Sequence, residues 1–160
     1  TTAAVMTEDG FLRTGDQGQI DDQGFLKITG RVKDQFKTEK AKFVAPAPIE
    51  LKLSCNTNID QVCVVGTGLP QPIALVTLSV EGREKSEQLL ASEIQHTIEL
   101  ANKSLERHEH IQVAVILRES WSIENGLMTP SLKIKRNAVE KRYQEKYIEW
   151  VKREGKVIWD

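Results

Sequence analysis

No apolar run in this sequence approaches the roughly 20 residues that a bilayer-spanning helix needs, so none of its segments is expected to cross a membrane as a helix. The opening TTAAVMTEDG lacks the basic-then-apolar layout of a secretory signal, and its first residue is Thr rather than Met, from which a piece of a longer chain is expected. Cysteine is scarce. Cys55 and Cys63 lie near each other with no framework around them, which predicts two reduced, buried thiols and a cytoplasmic setting, not a disulfide staple. Positive charge has no surplus: 22 Lys and Arg face 23 Asp and Glu, whereas a dedicated nucleic-acid binder needs an excess of cations to neutralise phosphates. His108 and His110 could share a strand face, but no third ligand accompanies them, so a polar turn is expected there and no metal site.

What is present is the balance of a soluble globular protein, 39% apolar and 28% charged, in 160 residues that can bury a real core. Gln17 to Ile20 and Phe25 to Thr29 read as a hairpin around Asp21-Asp22-Gln23-Gly24, with Gly24 supplying a positive φ. Gly30 to Asp34 is polar and unpatterned and is the best boundary in the chain. A second small hairpin, Gln35 to Lys37 with Lys42 to Val44, leads through Ala45-Pro46-Ala47-Pro48 into a short helix containing Ile49 and Leu53. Ile59 to Val65 and Ile73 to Val80 have strand length and β-branched content. The connector between them begins Gly66-Thr67-Gly68, which is no phosphate cradle because no helix with a Lys-Ser/Thr pair follows.

Leu90, Ile94, Ile98, Ala101 and Leu105 recur at helical spacing and predict a long helix from about Lys85 to Glu106 with one buried stripe. Ile111 to Leu117 alternates as a third strand. A last helix is expected from Asn137, as cap with Glu140 three residues on, burying Val139, Tyr143, Tyr147 and Val151. Trp121 and the late aromatics Tyr143, Tyr147, Trp150 and Trp159 read as core and edge packing. The closing VKREGKVIWD is left open between a frayed tail and a docking strip. The element order predicts an α+β fold: a small, mostly antiparallel sheet of about three strands flanked by helices, preceded by a short β-hairpin left over from a larger N-terminal domain.

Three segments carry candidate chemistry, and each alone has an ordinary explanation. FLRTGD, Phe11 to Asp16, is a turn before a strand, TGRVKD, Thr29 to Asp34, a charged linker, and the basic residues of GLMTPSLKIKR, Gly126 to Arg136, a solvated face. Taken in order with KFVAPAPIE, Lys42 to Glu50, they resemble the C-terminal portion of the AMP-forming acyl-adenylating enzymes. The similarity runs from about Asp9 to Trp150, and the wording MTPSLKIKR is closest to the long-chain fatty acyl-CoA synthetases.

The resemblance implies a ligase in which a fatty carboxylate attacks the α-phosphate of MgATP and the thiol of coenzyme A then displaces AMP. By that similarity Lys133 is the catalytic cation where two anions meet, and Lys135 and Arg136 are support or solvated surface. Asp16 accepts hydrogen bonds from the ribose hydroxyls, Arg31 contacts the nucleotide, and Lys33 is the hinge of a domain swing. Ala41 and Lys42 belong to the loop lining the coenzyme A channel, where Ala41 replaces a glycine usual in relatives and puts the thioester step in question. Residues 1–31 are then the end of the N-terminal domain, with the nucleotide-binding TGD, and 32–160 the C-terminal lid.

ATP, Mg2+ and coenzyme A are the cofactors implied for the whole enzyme, with none held by this stretch alone. Its partners would be its own N-terminal domain and small molecules (fatty acid, ATP, coenzyme A), not nucleic acid; peripheral membrane contact of the whole protein stays open. The phosphate loop, adenine pocket and acyl tunnel have no counterpart here, so the isolated chain is expected to be inactive. Two alternatives stand beside this expectation: a non-catalytic interaction module derived from such a lid, and an adenylating enzyme that uses a carrier-protein thiol.

Overall fold

The structure is a computed structural model that describes residues 4–160. Strands β1 (Asp16–Ile20) and β2 (Leu26–Arg31) pair antiparallel. The Asp21 carboxylate holds their turn by accepting from the amides of Gln23 at 3.0 Å and Phe25 at 2.9 Å, and Gly24 takes a φ of 85° that a side chain would oppose. After a 3-10 turn, Val32–Asp34, β3 (Phe36–Lys37) and β4 (Phe43–Val44) form the second hairpin. Helix α1 (Pro46–Leu53) follows, with proline in its first turn where no backbone donor is missed.

The main sheet has the order β5-β6-β7-β8, with β5 (Ile59–Val65), β6 (Ile73–Leu78), β7 (Ala114–Ile116) and β8 (Val157–Trp159). Strand alternation feeds two cores. Val62 and Val64 face α1 and the stripe Leu90, Ile94, Ile98 and Ala101 of α3 (Glu87–Asn102). Cys63 and Val65 face the opposite side, with Val139, Tyr143, Tyr147 and Trp150 from α4 (Arg136–Tyr143) and α5 (Tyr147–Lys152). Tyr143 and Tyr147 each pack tilted on Trp150 with ring centroids 6.0 Å apart, so these aromatics are core, as expected.

The α+β class holds, but the expected three-stranded, mostly antiparallel sheet is corrected. There are four strands, and β6–β7 and β7–β8 are parallel; only β5–β6 is antiparallel. Connection length explains it. Gly66 to Pro72 is short enough to turn the chain straight back, whereas α3 carries it across a face and returns it in the same direction, as α4 and α5 do before β8. The fourth strand comes from the closing segment, whose three strand residues are too few to show a period.

Several boundaries also move. β6 stops at Leu78 because the Ser79 hydroxyl accepts from the Gly82 amide and starts a short helix, α2 (Val80–Glu84). Gly82 is needed there, since a Cβ would stand 2.5 Å from the Asn58 carbonyl oxygen. Ser86 caps α3 at Leu89, so that helix runs Glu87–Asn102, not Lys85 to Glu106. The third strand is confined to Ala114–Ile116. Asn137 is not a cap: α4 starts at Arg136, with Lys135 before it making no capping bond. A 3-10 turn, Gln144–Lys146, separates α4 from α5. Cys63 is buried as expected, but Cys55 is exposed, because α1 ends at Leu53 and leaves it on a surface turn. Among the described residues no helix is long and apolar enough to cross a membrane.

Candidate functional site

Lys133 sits at the base of a tight hairpin. Met128 and Ile134 form an antiparallel bridge, the Thr129 amide donates to the Lys133 carbonyl at 2.8 Å, and the Leu132 amide donates to the Thr129 carbonyl at 2.9 Å. The Thr129 hydroxyl accepts from the Lys133 amide at 3.0 Å and lies 3.0 Å from the Ser131 hydroxyl. Closing so short a loop forces one residue into the left-handed region, and Leu132 takes it at φ 58°. The lysine is therefore presented by fixed backbone, with its side chain exposed and no carboxylate within ion-pair distance among the described residues.

An open cleft of about 710 Å³ runs past this lysine, lined among others by Arg31, Asp34, Thr129, Lys133, Lys135 and Arg136. Two residues singled out from distant parts of the sequence, Arg31 and Lys133, thus share one surface. Asp16 reaches it through Arg31: the two are register partners across β1 and β2, and Arg31 Nε stands 3.4 Å from Asp16 Oδ1. Lys33 is in the Val32–Asp34 turn, exposed, directly between β2 and the second hairpin.

Ala41 and Lys42 lie elsewhere, on a loop that repeats the geometry of the Lys133 hairpin. The Thr38 amide donates to the Lys42 carbonyl at 3.0 Å, the Ala41 amide to the Thr38 carbonyl at 3.0 Å, and Ala41 takes φ 56°. Both loops read Thr, two residues, a left-handed non-glycine, Lys. They differ at the threonine hydroxyl, which is bonded at Thr129 but buried without a partner at Thr38. Thr38, Lys40, Lys42, Gln71, Arg107 and His108 line a separate basic cleft of about 550 Å³. Sequence reasoning missed Arg107 and looked instead at its neighbours His108 and His110, whose imidazoles each meet a backbone carbonyl, of Phe43 and Leu105, in a turn. A third cleft of about 430 Å³, near Thr67, Glu140, Glu145 and Tyr147, offers carboxylates and none of these cations.

Arg136 is neither solvated nor incidental. Its guanidinium donates to the Val64 carbonyl at 2.7 Å and to Glu50 Oε1 at 2.6 Å, and approaches the Cys63 sulfur at 3.2 Å. Burial disfavours its charge, but Cys63 and the Glu50 carboxylate more than offset this and its pKa is raised, so it is a permanent cation. Burial pushes the neighbouring Cys63 thiol up to about 12, against a smaller opposing pull from Arg136. Glu50 and Arg136 stand 86 residues apart, and no local pattern announces their meeting.

Residues 33–153 match the family model described as the AMP-binding enzyme C-terminal domain, and the chain belongs to that family. It is 34% identical over 152 residues to the long-chain-fatty-acid–CoA ligase FadD15 of Mycobacterium tuberculosis, and 32% identical over 161 residues to long-chain-fatty-acid–CoA ligase 5 of Rattus norvegicus. Those alignments cover 84% and 89% of this chain but 25% and 24% of the relatives, so the chain spans about a quarter of their length. The fold is similar to the adenylation domain of a carboxylate reductase from Mycobacterium chelonae, with TM-score 0.80 and 26% identity over 93% of this chain and 24% of that one. The corresponding domain from Segniliparus rugosus, solved with AMP and a co-purified carboxylic acid, gives TM-score 0.75 at 25% identity, covering 93% of this chain and 24% of that chain.

Proposed function

We propose that this chain is the lid of an ATP-dependent, AMP-forming long-chain fatty acyl-CoA synthetase, made of residues 32–160 and preceded by the last hairpin of the large domain, 1–31. The observation that carries the proposal is the cleft shared by Arg31 and Lys133, with Asp16 paired to Arg31. A carboxylate and a triphosphate repel as they approach, and a preorganised ammonium at the meeting point lowers that barrier without reorganising. Lys133 supplies the ammonium from a rigid hairpin, with no ion-pair partner among the described residues. Asp16 offers acceptor oxygens to ribose hydroxyls and Arg31 donors to the nucleotide's anionic side. Mg2+ would come with the triphosphate: the cations facing this cleft fit the anion and not the metal ion, which would only neutralise phosphate charge there.

Lys33, in the short turn joining β2 to the second hairpin, is the hinge that lets the lid present one face and then another. The Ala41 loop would then come forward. Its cleft, where Lys40, Lys42 and Arg107 outnumber Glu106, suits a polyanionic thiol donor such as coenzyme A. In the full-length protein Lys133→Ala should abolish ATP–pyrophosphate exchange with fatty acid and largely spare thioester formation from supplied acyl-adenylate; equal loss of both steps would contradict the role.

A second acceptor is favoured by one finding. The carboxylic acid reductase of Segniliparus rugosus, solved as an adenylation–PCP didomain with AMP, matches this fold with TM-score 0.75 at 25% identity over 94% of this chain and 22% of that one. Comparing coenzyme A with a carrier-protein thiol as acceptor separates the two.

A further inference from the structure

β5 is an edge of the main sheet, and at Val64 its N–H and C=O turn away from β6 toward the open side. An ion pair occupies that side. Glu50 Oε1, from α1, accepts the Val64 amide at 2.7 Å, Arg136 donates to the Val64 carbonyl at 2.7 Å, and the two side chains close the ring on each other at 2.6 Å. Their side chains are 18% and 17% exposed, so this is a mostly buried pair standing where a neighbouring strand would stand. A planar guanidinium can make both bonds at once, and a lysine ammonium lacks that fork.

Arg136 is three residues from Lys133, and the backbone between them is tied down: Ile134 bridges Met128, and the Lys135 amide donates to the Leu127 carbonyl at 2.8 Å. The other arm of the hairpin is fastened to the same strand. Gln61, on β5, reaches the Trp121 carbonyl and the Met128 sulfur, each at 3.1 Å. Both arms of the lysine hairpin therefore hang from the β5 edge, one through Gln61 and one through Arg136. The geometry points to Arg136, with Glu50, as a positioning residue for Lys133, holding the hairpin so that its ammonium faces the cleft shared with Arg31 and Asp34.

This rests on Lys133 serving adenylation, and the test separates the two claims. In the full-length protein, Arg136→Gln, Arg136→Lys, Glu50→Gln and Lys133→Ala are compared in pyrophosphate exchange and in thioester formation from supplied acyl-adenylate. Loss of ångström-scale placement is expected to lower the adenylation kcat of Arg136→Gln by about 100-fold, with KM for ATP and the thioester rate unchanged, and Arg136→Lys should recover only part. Equal loss in both steps, or no loss in adenylation, overturns the positioning role. Should Arg136→Gln not fold, Glu50→Gln keeps an acceptor oxygen, removes the charge and is judged by the same two outcomes. If Lys133→Ala abolishes exchange while the Arg136 and Glu50 variants keep the wild-type exchange rate, the positioning role alone fails; if Lys133→Ala leaves exchange intact, the catalytic role fails and takes the positioning role with it.

Discussion

At the scale of single residues, Ala41 and Leu132 hold left-handed backbone that L-residues enter at a cost of about 1–2 kcal/mol. Glycine there gives up no conformational strain but adds freedom to the unfolded chain. Ala41→Gly is therefore expected to raise stability by up to about 1 kcal/mol in denaturant unfolding, where a glycine substitution usually lowers it. In the complete enzyme the same change should speed the thioester step and leave adenylation alone, measured as separate half-reactions. The resemblance marked Ala41 as a place where glycine is usual, and Ala41 holds a positive φ there. Leu132 carried no such signal, since nothing in Thr129-Pro130-Ser131-Leu132 says which residue takes the strained position.

Cys63 supplies a pH prediction at the same scale. Burial holds its folded pKa at about 12, above the ordinary thiol value, so the fold prefers the neutral thiol. The associated stability is complete below pH 9 and is lost as pH rises toward 12. Unfolding free energy should fall over that window in the wild type and fall less in Cys63→Ala, the slope being compared and not the absolute value. With a thiol reagent near pH 8, the native chain should show one reactive group, Cys55, and the unfolded chain two.

At the scale of elements, the long helix was legible because five apolar residues repeat over several turns, and its ends were not, because Ser86 decides the start by a single hydroxyl. Ser86→Ala should cost about 1 kcal/mol of stability, read by urea unfolding. β8 was illegible for a different reason: a strand is recognised by length, and an edge strand of three residues beside Gly155 looks like a tail. Ile158 is 4% exposed in the core shared with α4 and α5. Ile158→Ala should therefore cost about 2–5 kcal/mol, whereas the same change in a frayed end would cost almost nothing. Of the candidate site, Asp16, Arg31 and Lys133 were singled out only when their motifs were taken together, in order. Their supports were not, since Glu50, Gln61 and Val64 meet the lysine hairpin only through the tertiary fold.

At the scale of the whole molecule, the β1–β2 hairpin leaves Phe25, Leu26 and Ile28 each more than half exposed, close together on one short hairpin. Phe25→Ser with Ile28→Thr should leave the unfolding free energy of the chain within about 0.5 kcal/mol and reduce its self-association in sedimentation at rising concentration. A large drop in stability would mean that the hairpin supports the domain. The order of the main sheet has a further consequence. Its three mutually parallel strands are gathered from positions 73 to 159, and β8, which flanks β7, comes last of the described strands. During synthesis the growing chain can form the first hairpins and α1 early, yet β7 must wait at the ribosome with one flank bare until Val157–Trp159 emerges. Such late closure of a distant pairing is slow and leaves a sticky intermediate, so the pace of translation through the final helices bears on how much of this protein matures and how much is lost to aggregation.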